Sequence, residues 1–159
     1  METDDTSQFM REAIRLSTEN VEQGKGGPFG AIVVKDGKII ARGANQVTAT
    51  NDPTAHAEIV AIRNACSTLH TFQLDDCEIY TSCEPCPMCL GAIYWARFSK
   101  LFYANSKQDA ADVSFDDKFI YEELAKPVEE RTLFTRQILR EEALETFKKW
   151  AECESKTGY

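Results

Sequence analysis

A β-rich run at residues 77–82, a helix opening at Pro87 and reaching about residue 97, and a second β-rich run at residues 101–104 follow one another with only short loops between them. A strand, a helix and a strand so closely joined have essentially one solution: the helix crosses over and the strands lie parallel, with a right-handed connection. Pro87 fits the first turn of that helix, where a missing N–H costs nothing. Upstream, two further β-rich runs, 31–34 and 38–41, flank Asp36-Gly37, a dipeptide suited to the positive φ of a tight hairpin turn. Helical spacing of apolar residues marks 7–23 (Phe9, Met10, Ala13, Ile14, Val21) and again Ala55, Ile59, Ile62, Cys66 and Leu69. Further along, the pattern predicts a helix over 115–124 ended by Pro127 and a strand near 133–138. A closing helix over 141–153 is expected to bury Leu144, Phe147 and Trp150. The order of elements predicts a single α/β domain over residues 1–159.

Net charge matters for what such a domain can bind. There are 18 basic and 26 acidic residues, a balance of −8, and no Lys/Arg cluster. Binding nucleic acid requires cations facing many phosphates, so the balance argues for a small substrate and no nucleic-acid partner. No apolar run is long enough to span a bilayer, and residues 1–8 lack the basic and apolar blocks of a secretory signal. A cytoplasmic protein without a membrane partner is expected.

In a reducing compartment six cysteines seldom mean disulfides. Three of them crowd together as Cys83, Cys86 and Cys89, and the run Pro85-Cys86-Pro87-Met88-Cys89 stands at a helix start. Two cysteines three apart can converge on one metal, and a helix N-terminus favours the thiolate form that a metal needs. His56-Ala57-Glu58 supplies an imidazole near the start of another helix, just after Pro53. One imidazole and two thiolates are three ligands for Zn²⁺, which leaves a fourth position open, as in catalytic sites. Residues two apart do not share a helix face, so His56 and Glu58 can serve one site only if it lies off the helix end.

These motifs resemble the zinc-dependent cytidine/deoxycytidylate deaminase superfamily, whose signature is His-x-Glu followed by Pro-Cys-x-x-Cys. Within it, the stretches from Asn51 through Glu58 and from Thr81 through Cys89, with Phe115-Asp116-Asp117 and Tyr159, look like the small bacterial-type guanine deaminases. The resemblance implies a three-layer α/β/α fold, a mixed central sheet with helices on both faces. It implies one Zn²⁺ per subunit, held by His56, Cys86 and Cys89, and hydrolytic removal of the 2-amino group of guanine by zinc-activated water. Glu58 would shuttle the proton, with Asp117 as a second catalytic carboxylate near the leaving amine. Phe29, Asn45, Trp95 and Tyr159 would bind the purine base. It also implies a homodimer, in which the segment from about residue 110 to 159 could be exchanged between subunits.

Other readings of the same residues stay open. Cys83 precedes Cys86 by the same gap that separates Cys86 from Cys89, so a closed structural zinc with Cys83 as fourth ligand fits the spacing. Phe29 and Trp95 are also ordinary core aromatics, Asn45 an ordinary turn residue, and Asp117 and Tyr159 ordinary surface and terminal residues. The shared motifs equally admit a tRNA adenosine deaminase, a deaminase of cytosine, cytidine or guanosine, or a non-catalytic zinc-binding module.

Overall fold

The computed structural model describes residues 4–159. Its backbone divides into two compact units, with the boundary between Lys118 and Phe119.

The first unit is built on four strands: β1 (Gly30–Lys35), β2 (Lys38–Ala44), β3 (Cys77–Cys83) and β4 (Lys100–Asn105), in the order β2-β1-β3-β4. β1 runs antiparallel to both β2 and β3, whereas β3 and β4 are parallel, so the sheet is mixed. The hairpin between β1 and β2 turns at Asp36 (φ +50°) and Gly37 (φ +70°), the two positive values that a primed turn requires. The helix α1 (Asp4–Glu22) packs on one face of the sheet and α3 (Ala57–Leu69) on the other. Side chains alternate accordingly along β1. Ala31 and Val33 join the cluster that includes Ala57, Ala61 and Ala65 of α3, while Ile32 and Val34 join the one that includes Ala13 of α1. Helices on both faces of a mixed sheet are the three-layer arrangement expected.

The parallel connection from β3 to β4 is α4 (Pro87–Trp95), with Pro87 at its first turn. Two short helices escaped the sequence pattern, α2 (Val47–Thr50) and α5 (Lys107–Asp112). Neither buries a residue, so neither carries an apolar periodicity to read. What defines α5 instead is a capping box, in which Ser106 and Asp109 exchange side-chain and backbone hydrogen bonds.

The second unit holds α6 (Lys118–Ala125, beginning one residue before the boundary), a 3-10 turn at Val128–Glu130 and α7 (Arg140–Glu152). α6 starts three residues later than expected. The strand anticipated at 133–138 does not form: those residues are irregular, and Leu133, Phe134 and Ile138 are exposed. A lone β-rich run needs a partner strand for its N–H and C=O groups, and none runs beside it among the described residues. α7 is helical as expected, but the face expected to be buried is not. Phe147 is 72% and Trp150 49% exposed, and Leu144 is only half-buried. A unit of this size has too little chain of its own to bury such a face.

The register of the sheet decides where a site can form. Gly30 pairs with Ala44, and Ala31 with Thr81. The entry to β1 at Phe29, the exit from β2 toward Asn45 and the exit from β3 at Cys83 therefore lie at one end of the sheet. This is the carboxyl end of the parallel pair, where open α/β sheets commonly place ligands.

Candidate metal centre and active site

Two helices begin at that end, and each begins on a candidate ligand. His56 is the N-cap of α3, with extended backbone (φ −69°, ψ 157°), and Cys86 is the N-cap of α4 (φ −66°, ψ 167°). Neither side chain caps its own helix, where Ser, Thr, Asp or Asn would ordinarily turn back to bond an amide. They turn toward each other instead. His56 Nδ1 lies 3.5 Å from Cys86 Sγ and 3.5 Å from Cys89 Sγ. The extended backbone at His56 removes the difficulty posed by its two-residue spacing from Glu58. His56 stands just outside α3 and Glu58 inside its first turn, so the rule for facing residues on a regular helix does not apply.

The three donor atoms lie within 4.8 Å of one another. A tetrahedral zinc with Zn–S of about 2.3 Å and Zn–N of about 2.05 Å would hold nitrogen and sulfur about 3.6 Å apart, so the donor set fits that ion. The positive ends of two helix dipoles favour thiolate at the same point. Cys86 is held down to about 4, first by the Cys89 thiol that donates to it and then by His56. Cys89 is pushed up by the Cys86 thiolate beside it and by burial, and His56 is raised chiefly by Cys86. Cys83 is not in this group. Its Sγ donates to the Ser106 carbonyl at 3.7 Å, and burial pushes its thiol up to about 11. The closed four-ligand reading has no support in this geometry.

Glu58 is 5% exposed and accepts a hydrogen bond from Thr81 Oγ1 at 2.9 Å. Burial raises its carboxyl above the usual range, and the Thr81 and Cys89 side chains partly offset that as hydrogen-bond partners. Asp117 is half-buried and also raised, first by burial. Its Oδ1 is buried without a hydrogen-bond partner among the described residues. The Cys86 thiolate adds to that rise, and the Asp117 carboxylate in turn contributes to raising His56.

Asn45 is 8% exposed, and its Oδ1 accepts from the amides of Gly27 and Val47 at 3.3 Å each. That fixes the side-chain amide with its Nδ2 turned away from those contacts, and Nδ2 bonds no other described residue. Phe29 packs against the α3-side core and meets Phe115 edge-on, with ring centroids 4.9 Å apart. Trp95 lies on the same helix as Cys89, six residues further on. It ends α4 and is 63% exposed, with Arg97 over its ring. Tyr159 belongs to the second unit and is 74% exposed.

Three supporting residues escaped the motif reading. Asn20, 5% exposed, donates from Nδ2 to the carbonyls of Gly27 (2.8 Å) and Asn45 (3.0 Å) and so ties two loops of the site together. Ser82 Oγ accepts from the Gly30 amide at 3.0 Å, and Glu84 Oε2 from the Lys107 amide at 3.0 Å. For Asn20 and Ser82 the trace in sequence is a polar residue where burial is due, legible once the helix and strand faces are known; Glu84, partly exposed in the loop after β3, leaves none.

A histidine and two cysteines converging between two helix N-termini, with a buried carboxylate beside them on a mixed sheet, define a zinc-dependent deaminase centre. The chain belongs to the cytidine and deoxycytidylate deaminase zinc-binding family, whose pattern matches residues 3–105. More particularly, it is 57% identical over 151 residues to the guanine deaminase of Bacillus subtilis, covering 95% of this chain and 97% of that one. The X-ray structure of guanine deaminase from B. subtilis superposes with a TM-score of 0.94 at 56% identity, over 96% of this chain and 98% of that chain. A tRNA-specific adenosine deaminase of Aquifex aeolicus is 43% identical over 107 residues, covering 67% of this chain and 70% of the relative.

Proposed function

We propose that this protein hydrolyses guanine to xanthine and ammonia, using one zinc ion per subunit held by His56, Cys86 and Cys89. The observation that carries the reading is the triad set beside the buried carboxylate of Glu58, in a chain that matches a guanine deaminase over nearly its whole length. Zinc, when bound there, supplies Lewis-acid chemistry that brings the pKa of water from about 16 to near 7. Glu58 takes a proton from the attacking water and passes it to the ring nitrogen beside the carbon bearing the 2-amino group. It then helps protonate the departing ammonia. Its raised proton affinity and dry surroundings suit a group that must both accept and return a proton.

Asn45 Nδ2 is free to donate to an acceptor on the base edge, and Phe29 offers a flat apolar wall to the ring. Asp117, with one buried oxygen unpartnered, is assigned to the leaving amine. For Trp95 and Tyr159 the support is the resemblance alone. The same resemblance supports a cytoplasmic homodimer with an exchanged C-terminal segment. No helix among the described residues is long and apolar enough to cross a membrane.

The test is direct. Zinc-loaded protein is incubated with guanine, guanosine, adenine, cytosine, cytidine and a tRNA anticodon stem-loop, and ammonia release is measured. Guanine is expected to be the preferred substrate, with xanthine formed in equal amount. Preference for the RNA would install adenosine deamination in its place, against the net charge of −8. Glu58→Gln should keep zinc and lower turnover by at least about 1,000-fold. Unchanged turnover would remove Glu58 from its role.

A further inference from the structure

We infer that Thr81 is a positioning residue for Glu58, its hydroxyl holding the Oε1 oxygen so that the carboxylate keeps one orientation at the metal centre. This rests on the role proposed above for Glu58. The face of β3 turned toward α3 carries Cys77, Ile79, Thr81 and Cys83, which are 0%, 0%, 1% and 5% exposed. At such a place valine has the same shape as threonine and suits a strand at least as well. A hydroxyl that is fully buried there must be hydrogen-bonded, and this one is. Thr81 Oγ1 lies 2.9 Å from Glu58 Oε1 and 3.1 Å from the Cys83 carbonyl oxygen.

A hydroxyl has one hydrogen and two lone pairs. With Glu58 ionised, Thr81 donates to Oε1. The Cys83 carbonyl oxygen, 3.1 Å away, takes one of the directions open to the hydroxyl, so the group faces Glu58 from a fixed place that a methyl group could not bond from. Oε2 is left as the oxygen Thr81 does not hold. The anchor is stiff: Thr81 pairs with Ala31 in the sheet, and its β-branched side chain has few rotamers.

The test uses the zinc-loaded, full-length protein with Thr81→Val, Thr81→Ser and Thr81→Cys. Thr81→Val is expected to bind one zinc per chain and to keep KM within about twofold while kcat falls by about 10- to 100-fold, the scale of a misplaced catalytic group. Thr81→Ser, which restores the hydroxyl without the methyl, should recover kcat to within about threefold of the wild type, and Thr81→Cys, a weaker donor, should fall between them. In crystals of zinc-loaded Thr81→Val the Glu58 carboxylate should spread over more than one orientation, with a single one in wild type. The inference is overturned if Thr81→Val keeps kcat within twofold, if Thr81→Ser and Thr81→Cys lose activity alike, or if Glu58 holds its wild-type orientation without the hydroxyl. Should wild type release no ammonia from guanine, the substrate assignment fails, while the crystallographic comparison still judges Thr81. If Thr81→Val does not fold, the Ser and Cys pair decides the matter.

Discussion

Where α3 covers the sheet, six of the nine buried residues of the cluster are alanine, Ala31, Ala41, Ala57, Ala61, Ala65 and Ala96, with larger side chains such as Phe29, Ile62, Leu69 and Phe98 packed around them. Where α1 covers it, the space is filled by large side chains, Ile32, Val34 and Tyr80, with Phe9, Met10, Leu16 and Phe102 packed around them. Small residues let backbones approach closely, and the contact is tight enough that a Cβ on Gly43 of β2 would stand 2.3 Å from the Ala57 carbonyl oxygen and 2.5 Å from the Ala61 amide nitrogen. Backbone against backbone leaves no side chain to yield, so the N-terminus of α3, with His56 and Glu58, is fixed relative to the strand. On the other face Tyr80 stacks on Phe102 (4.6 Å, 16°) and meets Phe9 at 5.4 Å, a packing that rotamer changes can adjust. Backbone meets backbone there too, since a Cβ on Gly30 of β1 would stand 2.4 Å from the Ala13 carbonyl oxygen of α1; the faces differ in the size of the side chains that fill them and in the site that the α3 face carries.

Four experiments can break or sharpen that contrast. The largest effect is expected at the site itself. His56→Ala should abolish stoichiometric zinc, read by elemental analysis, and lower turnover by at least about 1,000-fold, as chelation should in the wild type. Next is Gly43→Ala, which puts one methyl group between β2 and α3. A cost of about 2–4 kcal/mol in denaturant titration is expected, with weaker zinc retention, because α3 must move to admit it. A variant that stays fully stable and zinc-loaded would refute the tight-contact account. Third, Tyr80→Leu should cost about 2 kcal/mol while leaving KM for the substrate and zinc content unchanged. Equal damage to the metal site from this side would erase the distinction between the faces.

The smallest effect concerns Glu12 of α1, which accepts from Arg15 and from Arg42 of β2 at 2.7 Å each. Those partners, Arg15 foremost, hold its carboxyl down to about 2, from an ordinary 4.5. Because the folded value lies below the unfolded one, the stabilisation is present above about pH 4.5 and is lost as pH falls toward 2. Glu12→Gln should therefore cost about 1 kcal/mol at neutral pH, and the difference from wild type should close through that acidic window. A gap independent of pH would assign the effect to packing.

Much of the fold and the site is legible in the chain alone. The turn at Asp36-Gly37, the helix opening at Pro87 and the strand-helix-strand order carry local chemistry strong enough to declare themselves. So do His56, Glu58, Cys86 and Cys89, because a metal demands particular donor types at particular spacings. Asn20, Thr81 and Ser82 are not legible there, because each acts on a residue at least 23 positions away or through a loop closed by the sheet. The run at 133–138 misleads in the opposite way. Its β-rich composition is a local property, whereas a strand exists only with a neighbour to bond.

The sequence by itself determined the donor set, the two helix starts that carry it and the mixed α/β order, since all three follow from short-range stereochemistry and ligand preference. Only the tertiary structure decided that His56 stands just outside the first turn of α3 and turns its side chain to Cys86 and Cys89, that Cys83 turns away to Ser106, and that Thr81 meets Glu58. Those outcomes depend on how closely one backbone can approach another. That distance is set by the alanine-lined contact of α3 with the sheet and is written in no single stretch of chain.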